Sequence, residues 1–85
     1  MKNSFINDLD KIIFWPKKPQ DKEFVIKHLS EKFIFSKIYS EKDVNDIIRK
    51  YHLFNDVPLL RRELISRKFL NRKDDGSEYW KLVNE

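Results

Sequence analysis

The sequence predicts a mainly α protein with a small β-hairpin, an α+β domain. Helical apolar spacing recurs between residues 19 and 68, and its last two stretches are joined by the short turn His52–Asn55. An arginine-bearing helix then runs directly into a strand–turn–strand pattern closed by Asp75-Gly76. A short β-rich stretch at residues 34–39 precedes the helix pair. The resulting order is helix, strand, helix, helix, strand, wing, strand. That order predicts a winged helix-turn-helix, here with an extra N-terminal helix.

At 85 residues the chain is expected to be one domain over 1–85, with the winged-helix core at 19–83. A chain of this size buries roughly 60–65% of the surface its unfolded form exposes, so the core is small. Cysteine is absent, which excludes disulfides, cysteine-based zinc sites and thiol nucleophiles. Lys2 is followed by polar residues, not by the apolar run of a signal peptide, and no stretch is apolar enough to span a bilayer. The sequence is therefore expected to be cytoplasmic, with no membrane partner.

Charge is unevenly spread. Residues 1–48 carry net +1, residues 49–73 net +6 and residues 74–85 net −3. All five arginines lie between positions 49 and 72. Arginine makes bidentate contacts to phosphate and guanine, so this clustering points to nucleic acid.

The elements follow in order. Ser4–Ile13 places Phe5, Ile6, Leu9, Ile12 and Ile13 at helical spacing, with Ser4 as N-cap. The spacing predicts a short helix over 4–13, which needs a surface to dock on and is a candidate homodimer contact. Trp15 precedes Pro16 and is expected to be extended. A helix from Pro19 or Gln20 to about Phe33 turns Val25, Ile26, Leu29 and Phe33 to the core. Its Phe24 and His28 are expected to receive the N-terminal helix. Around Ile38 a small edge strand is expected.

Ser40 and Asp43 form a capping-box pattern that starts a helix over Glu41–Tyr51, with Val44, Ile47, Ile48 and Tyr51 inward. Phe54 plugs the following turn. Asp56 caps the next helix, Val57–Lys68, whose core face is Val57, Leu60, Leu64 and Ile65. Phe69–Lys73 and Glu78–Val83 are the hairpin strands, and Asp-Gly supports the positive φ of a tight turn. Tyr79 and Trp80 point to opposite faces, one of them into the core.

The helical wheel separates adjacent arginines. Arg61 lies on the flank of the core face and is expected to pair with Glu41 or Asp43 as a structural salt bridge. Arg62 points outward with Ser66 one turn on. The candidate nucleic-acid-binding residues are Arg49, Lys50, Arg62, Ser66, Arg67, Arg72 and Lys73. No catalytic, metal-binding or cofactor-binding residues are expected: His28 and His52 lack obvious partners, and a single glycine rules out a glycine-rich phosphate loop. Asp74, Asp75 and Glu78 make the wing tip acidic, which opposes close approach to phosphate.

Pro16-Lys17-Lys18, YSEKDVN at 39–45, DVPLLRRELI at 56–65 and the ending FLNRKDDGSEYWK together resemble a bacterial domain of unknown function, number 2087 in the series. The similarity spans roughly residues 14–81. Members occur alone or fused to ArsR-type regulators, so the resemblance implies a setting in transcription regulation without supplying an activity. The leading expectation is a non-enzymatic protein that docks helix 56–68 in the major groove of double-stranded DNA. The alternative is a protein-interaction, effector or dimerisation module that does not touch DNA itself.

Overall fold

The computed structural model describes residues 4–82. Its elements are α1 (Pro19–Ser30), β1 (Ile38–Tyr39), α2 (Glu41–Lys50), α3 (Val57–Ser66), β2 (Leu70–Arg72) and β3 (Tyr79–Lys81). The strands form an antiparallel sheet in the order β1-β3-β2. Ile38 pairs with Trp80 and Tyr39 with Tyr79 on one side of β3, while Asn71 pairs with Trp80 and Arg72 with Tyr79 on the other. Three helices with a small antiparallel sheet in this order are the winged-helix arrangement.

Each helix begins as its sequence dictates. Pro19 stands in the first turn of α1, where its missing N–H costs nothing. The Ser40 hydroxyl accepts the backbone N–H of Asp43 at 3.0 Å and starts α2. The Asp56 carboxylate accepts that of Leu59 at 3.2 Å and starts α3. Asn55 takes a left-handed φ of 56°, a conformation its short side chain tolerates, and this turns the chain between α2 and α3.

The core lies between the helices and the inner face of the sheet. Val25, Ile26 and Leu29 of α1 meet Val44 and Ile48 of α2, Leu60 and Leu64 of α3, and Leu70 and Tyr79 of the wing, all buried. Tyr79 is therefore the inward aromatic of its strand and Trp80 is only partly covered. Ile65 is half-buried: it packs against the core from its edge and also lines a cleft.

The helix expected over residues 4–13 does not form. Ile6 and Ile12 instead make an antiparallel bridge, and Ile12 makes a parallel bridge to His52. The Asn7 side-chain oxygen accepts the backbone N–H groups of Leu9 and Lys11 at 2.9 and 3.0 Å, diverting them from any helical ladder. Asp10 closes the turn at φ 64°. Ile12 then exchanges hydrogen bonds with Tyr51 and Leu53, donating at 2.8 Å and accepting at 3.0 Å. A lone helix of this length is marginal, whereas the looped form satisfies its backbone and buries both isoleucines. His28 does receive this segment, donating from Nε2 to the Asp10 carbonyl at 3.0 Å. A homodimer formed through an N-terminal helix has no such helix to use.

The other differences are at element ends. α1 stops at Ser30, α2 at Lys50 and α3 at Ser66. Lys68 turns left-handed at φ 68° and redirects the chain into β2. The wing turn is wider than a two-residue hairpin. Gly76 donates to the Lys73 carbonyl at 2.9 Å with Asp74 and Asp75 at the centre, and Gly76 alone supplies the positive φ, at 75°. The expected end of the return strand at Val83 lies outside the described residues. Among the described residues no helix is long and apolar enough to cross a membrane.

Candidate nucleic-acid interface

The face of interest is built by α3 and the wing, and α3 is held against the body at several points. At its N-terminus, His52 links the end of α2 to the start of α3. The Ile48 carbonyl lies 2.6 Å from Nδ1, and the Asp56 backbone N–H donates to Nε2 at 2.9 Å. Phe54 packs edge-on against the same imidazole, with centroids 4.8 Å apart, and so closes the turn. In the middle, Arg61 donates to the Asn45 side-chain oxygen at 2.6 Å. At the C-terminus, Arg67 donates to Glu63 at 2.7 Å and to Glu23 of α1 at 2.8 Å.

These contacts correct one expectation. Arg61 does not form an ion pair with Glu41 or Asp43. Asn45 is one helical turn beyond Glu41 on α2 and stands opposite Arg61. Glu41 is engaged elsewhere, accepting the Tyr79 hydroxyl at 3.2 Å. Burial, followed by the hydrogen bond to Glu41, holds the Tyr79 phenol above its ordinary value.

The predicted binding residues divide into two groups. Arg62, Ser66 and Arg72 meet on one cleft between α3 and the wing, with a volume of about 370 Å³. Arg61, Ile65 and Tyr79 also line this cleft, and Glu41 and Asp75 supply its carboxylates. Arg62 and Ser66 are exposed, and Arg62 has no ion-pair partner among the described residues. Arg72 folds over the wing turn, donating from Nη1 to the carbonyls of Lys73 and Asp74, both at 3.1 Å.

The second group is already partnered. Arg67 is only 24% exposed and its guanidinium is held well into its charged form, by Glu63 first and then Glu23. Arg49 pairs with Asp46 at 3.1 Å, and Asp46 also takes Lys42 at 3.0 Å. Lys50 lies over the Tyr51 ring at 5.4 Å, and Lys73 reaches Glu78 across the wing at 3.6 Å. Of the cations along residues 49–73, Arg49, Arg67 and Lys73 are thus met by carboxylates from near and far in the chain. The cleft arginines, Lys50 and Lys68 have no ion pair among the described residues.

Sequence reasoning did not assign Arg61, Tyr79 or Glu41 to this cleft. The signal available was the stripe Arg61, Arg62, Ile65, Ser66 at helical spacing, which makes one continuous face of α3. The wing tip is acidic as expected, but Asp75 is turned inward on its own loop. Its carboxylate accepts the Ser77 backbone N–H at 2.9 Å, a bond that lowers its proton affinity. Among the described residues no cluster of His, Asp or Glu is placed to hold a metal ion.

No curated protein and no solved structure shows significant similarity to this chain. The profile of a bacterial family described as "Uncharacterized protein conserved in bacteria (DUF2087)" matches residues 11–81, from the N-terminal loop through all three helices to the end of β3. That span is most of the chain, and the chain therefore belongs to the DUF2087 family.

Proposed function

We propose that this winged helix is a non-enzymatic, cytoplasmic DNA-binding protein of transcription regulation, with α3 laid in the major groove. The supporting observation is the pairing of Arg62 and Ser66 on the outward face of α3 with Arg72 of the wing across the same cleft. In winged helices of the DNA-binding type this helix reads the groove and the wing meets the backbone. Arg62 is the base-edge or phosphate contact, Ser66 a phosphate contact one turn on, and Arg72 the backbone contact from the wing. Arg49, Lys50 and Lys73 add weaker phosphate contacts, since exposed ion pairs and cation–ring contacts exchange readily. Arg67 holds α3 to α1 and helps only indirectly.

Titration of mixed duplex DNA at low salt tests this reading. About four phosphate contacts give a log–log salt slope near −3.5. Absence of any mobility or anisotropy change at about 50 μM, a generous limit for non-specific binding, would sink it.

A second reading, a protein-interaction module, is favoured by a different surface. Ile34, Phe35 and Ile38 are 64%, 45% and 56% exposed along and beside the edge strand β1. An open apolar edge is a ready partner surface. Sedimentation of the wild type and of Ile38→Lys across a dilution series tests it: concentration-dependent association lost in the variant supports this reading, and a monomer throughout removes its self-association form.

A further inference from the structure

We propose that the α3–wing cleft is a phosphate-binding site with Arg61 as its inner contact. This deepens the DNA reading, which it takes as its starting point, but it commits to a chemistry that can be tested without DNA. The cleft brings three arginines from two elements, Arg61, Arg62 and Arg72, around one space of about 370 Å³. Neither Arg61 nor Arg62 has an ion-pair partner among the described residues. Arg61 spends Nη1 on Asn45, which fixes the plane of its guanidinium and leaves its other donors for a ligand. Arg72 likewise spends Nη1 on two backbone carbonyls. The Ser66 hydroxyl adds a neutral donor at the rim.

The carboxylates set the ligand's charge. Glu41 and Asp75 both line the cleft, so its walls carry a net single positive charge. One phosphodiester monoanion neutralises that excess, and a tetrahedral oxyanion can accept from arginines approaching in several directions. The cleft is also open and wide enough for the groups flanking a backbone phosphate. Each carboxylate is drawn into a local bond, Glu41 by the Tyr79 hydroxyl and Asp75 by the Ser77 N–H, which dulls its repulsion of an incoming anion. Glu41 nevertheless remains a like charge beside the ligand, and that gives the site a test with a sign.

The experiment is a titration of isotopically labelled protein with inorganic phosphate at constant ionic strength, read from the Gly76 amide and the arginine Nε–H resonances. Saturable shifts at Gly76, Arg61 and Arg72 are expected. Arg61→Gln should weaken binding about tenfold, the loss of one charge-assisted hydrogen bond. Glu41→Gln keeps an acceptor for the Tyr79 hydroxyl, removes the like charge and should tighten binding several-fold. Lys27→Gln, on α1 outside the cleft, should change nothing. Should Arg61→Gln fail to fold, the sign of the Glu41→Gln effect decides alone. Non-saturating shifts spread over the surface lysines, or a Glu41→Gln variant that binds no tighter, overturn the proposal. A second arm adds short duplex DNA: displacement of phosphate from Gly76 identifies the backbone as the source. Phosphate binding without duplex binding refutes the DNA reading and leaves this site standing for a free phosphate-bearing ligand.

Discussion

His52 accepts the backbone N–H of Asp56 at 2.9 Å, and this single bond joins the turn to the cap of α3. Because that nitrogen must accept, the ring proton sits on Nδ1, where it is donated to the Ile48 carbonyl at 2.6 Å. The imidazole is 5% exposed, and the Ile48 carbonyl also accepts the Tyr51 N–H at 3.1 Å, so it is the Asp56 N–H that depends on the ring. His52→Phe should fill the space but leave the Asp56 N–H without its acceptor, at a cost of about 1–2 kcal/mol. Urea unfolding measures the loss, and ring-nitrogen chemical shifts report the tautomer. A proton found on Nε2 in the native protein would contradict the arrangement outright.

Tyr79 predicts the alkaline limb of stability. Its phenol is raised above the ordinary 10.0, by burial first and the Glu41 hydrogen bond second. The folded chain therefore keeps this proton to higher pH than the unfolded chain does. The resulting stability is complete below pH 10.0 and is lost as pH rises through the folded value. Denaturant midpoints measured from about pH 8 to about pH 11, spanning the tyrosine range, should fall at the upper end. The Tyr79→Phe variant should start lower, without its bond to Glu41, and decline less steeply. An identical alkaline slope in both proteins would show that another group governs this limb.

The parts of the fold legible in the sequence were those with local causes. Ser40 and Asp56 announced their helices because a cap is a contact across three residues. Asp75-Gly76 announced the wing because the left-handed turn is a local demand on the backbone. Ser4–Ile13 misled because its apolar spacing suits a helix and the loop equally well. The deciding partners, the Tyr51 carbonyl and the Leu53 N–H, lie far along the chain. The cleft was half legible for the same reason. Helical spacing put Arg62 and Ser66 on one face, but nothing local shows that Glu23 reaches Arg67 from 44 residues away or that Tyr79 claims Glu41.

Gly76 isolates a backbone effect. A methyl group there would meet Glu41 Oε1 at 3.5 Å and Arg72 Nη1 at 3.7 Å, ordinary contact distances. Space is therefore not the obstacle, but φ is +75°, which an L side chain adopts at a cost of about 1–2 kcal/mol. Gly76→Ala should lose about that much in urea unfolding, and Gly76→Asn should lose less, since asparagine tolerates the left-handed region. Equal losses for the two variants would point to steric crowding of the cleft instead.

Arg62 and Arg67 lie on the same helix and should separate binding from stability. Arg67 is 24% exposed and joins Glu63 to Glu23, so Arg67→Ala removes two charge-assisted bonds and loosens α3 from α1. A stability loss of about 1–2 kcal/mol is expected, because both carboxylates are left without their cation. Arg62 is exposed and has no ion pair among the described residues. Arg62→Ala should leave stability within about 0.5 kcal/mol of the wild type. On the proposed DNA reading it should weaken duplex binding about tenfold or more, the usual worth of an arginine contact to a base edge or phosphate. Paired unfolding and anisotropy titrations on both variants settle the division of labour. If Arg62→Ala binds duplex as tightly as the wild type, α3 does not enter the groove through this face. If Arg67→Ala is as stable as the wild type, the bridge to Glu23 contributes nothing to the fold, and Arg67 becomes free to serve as a phosphate contact.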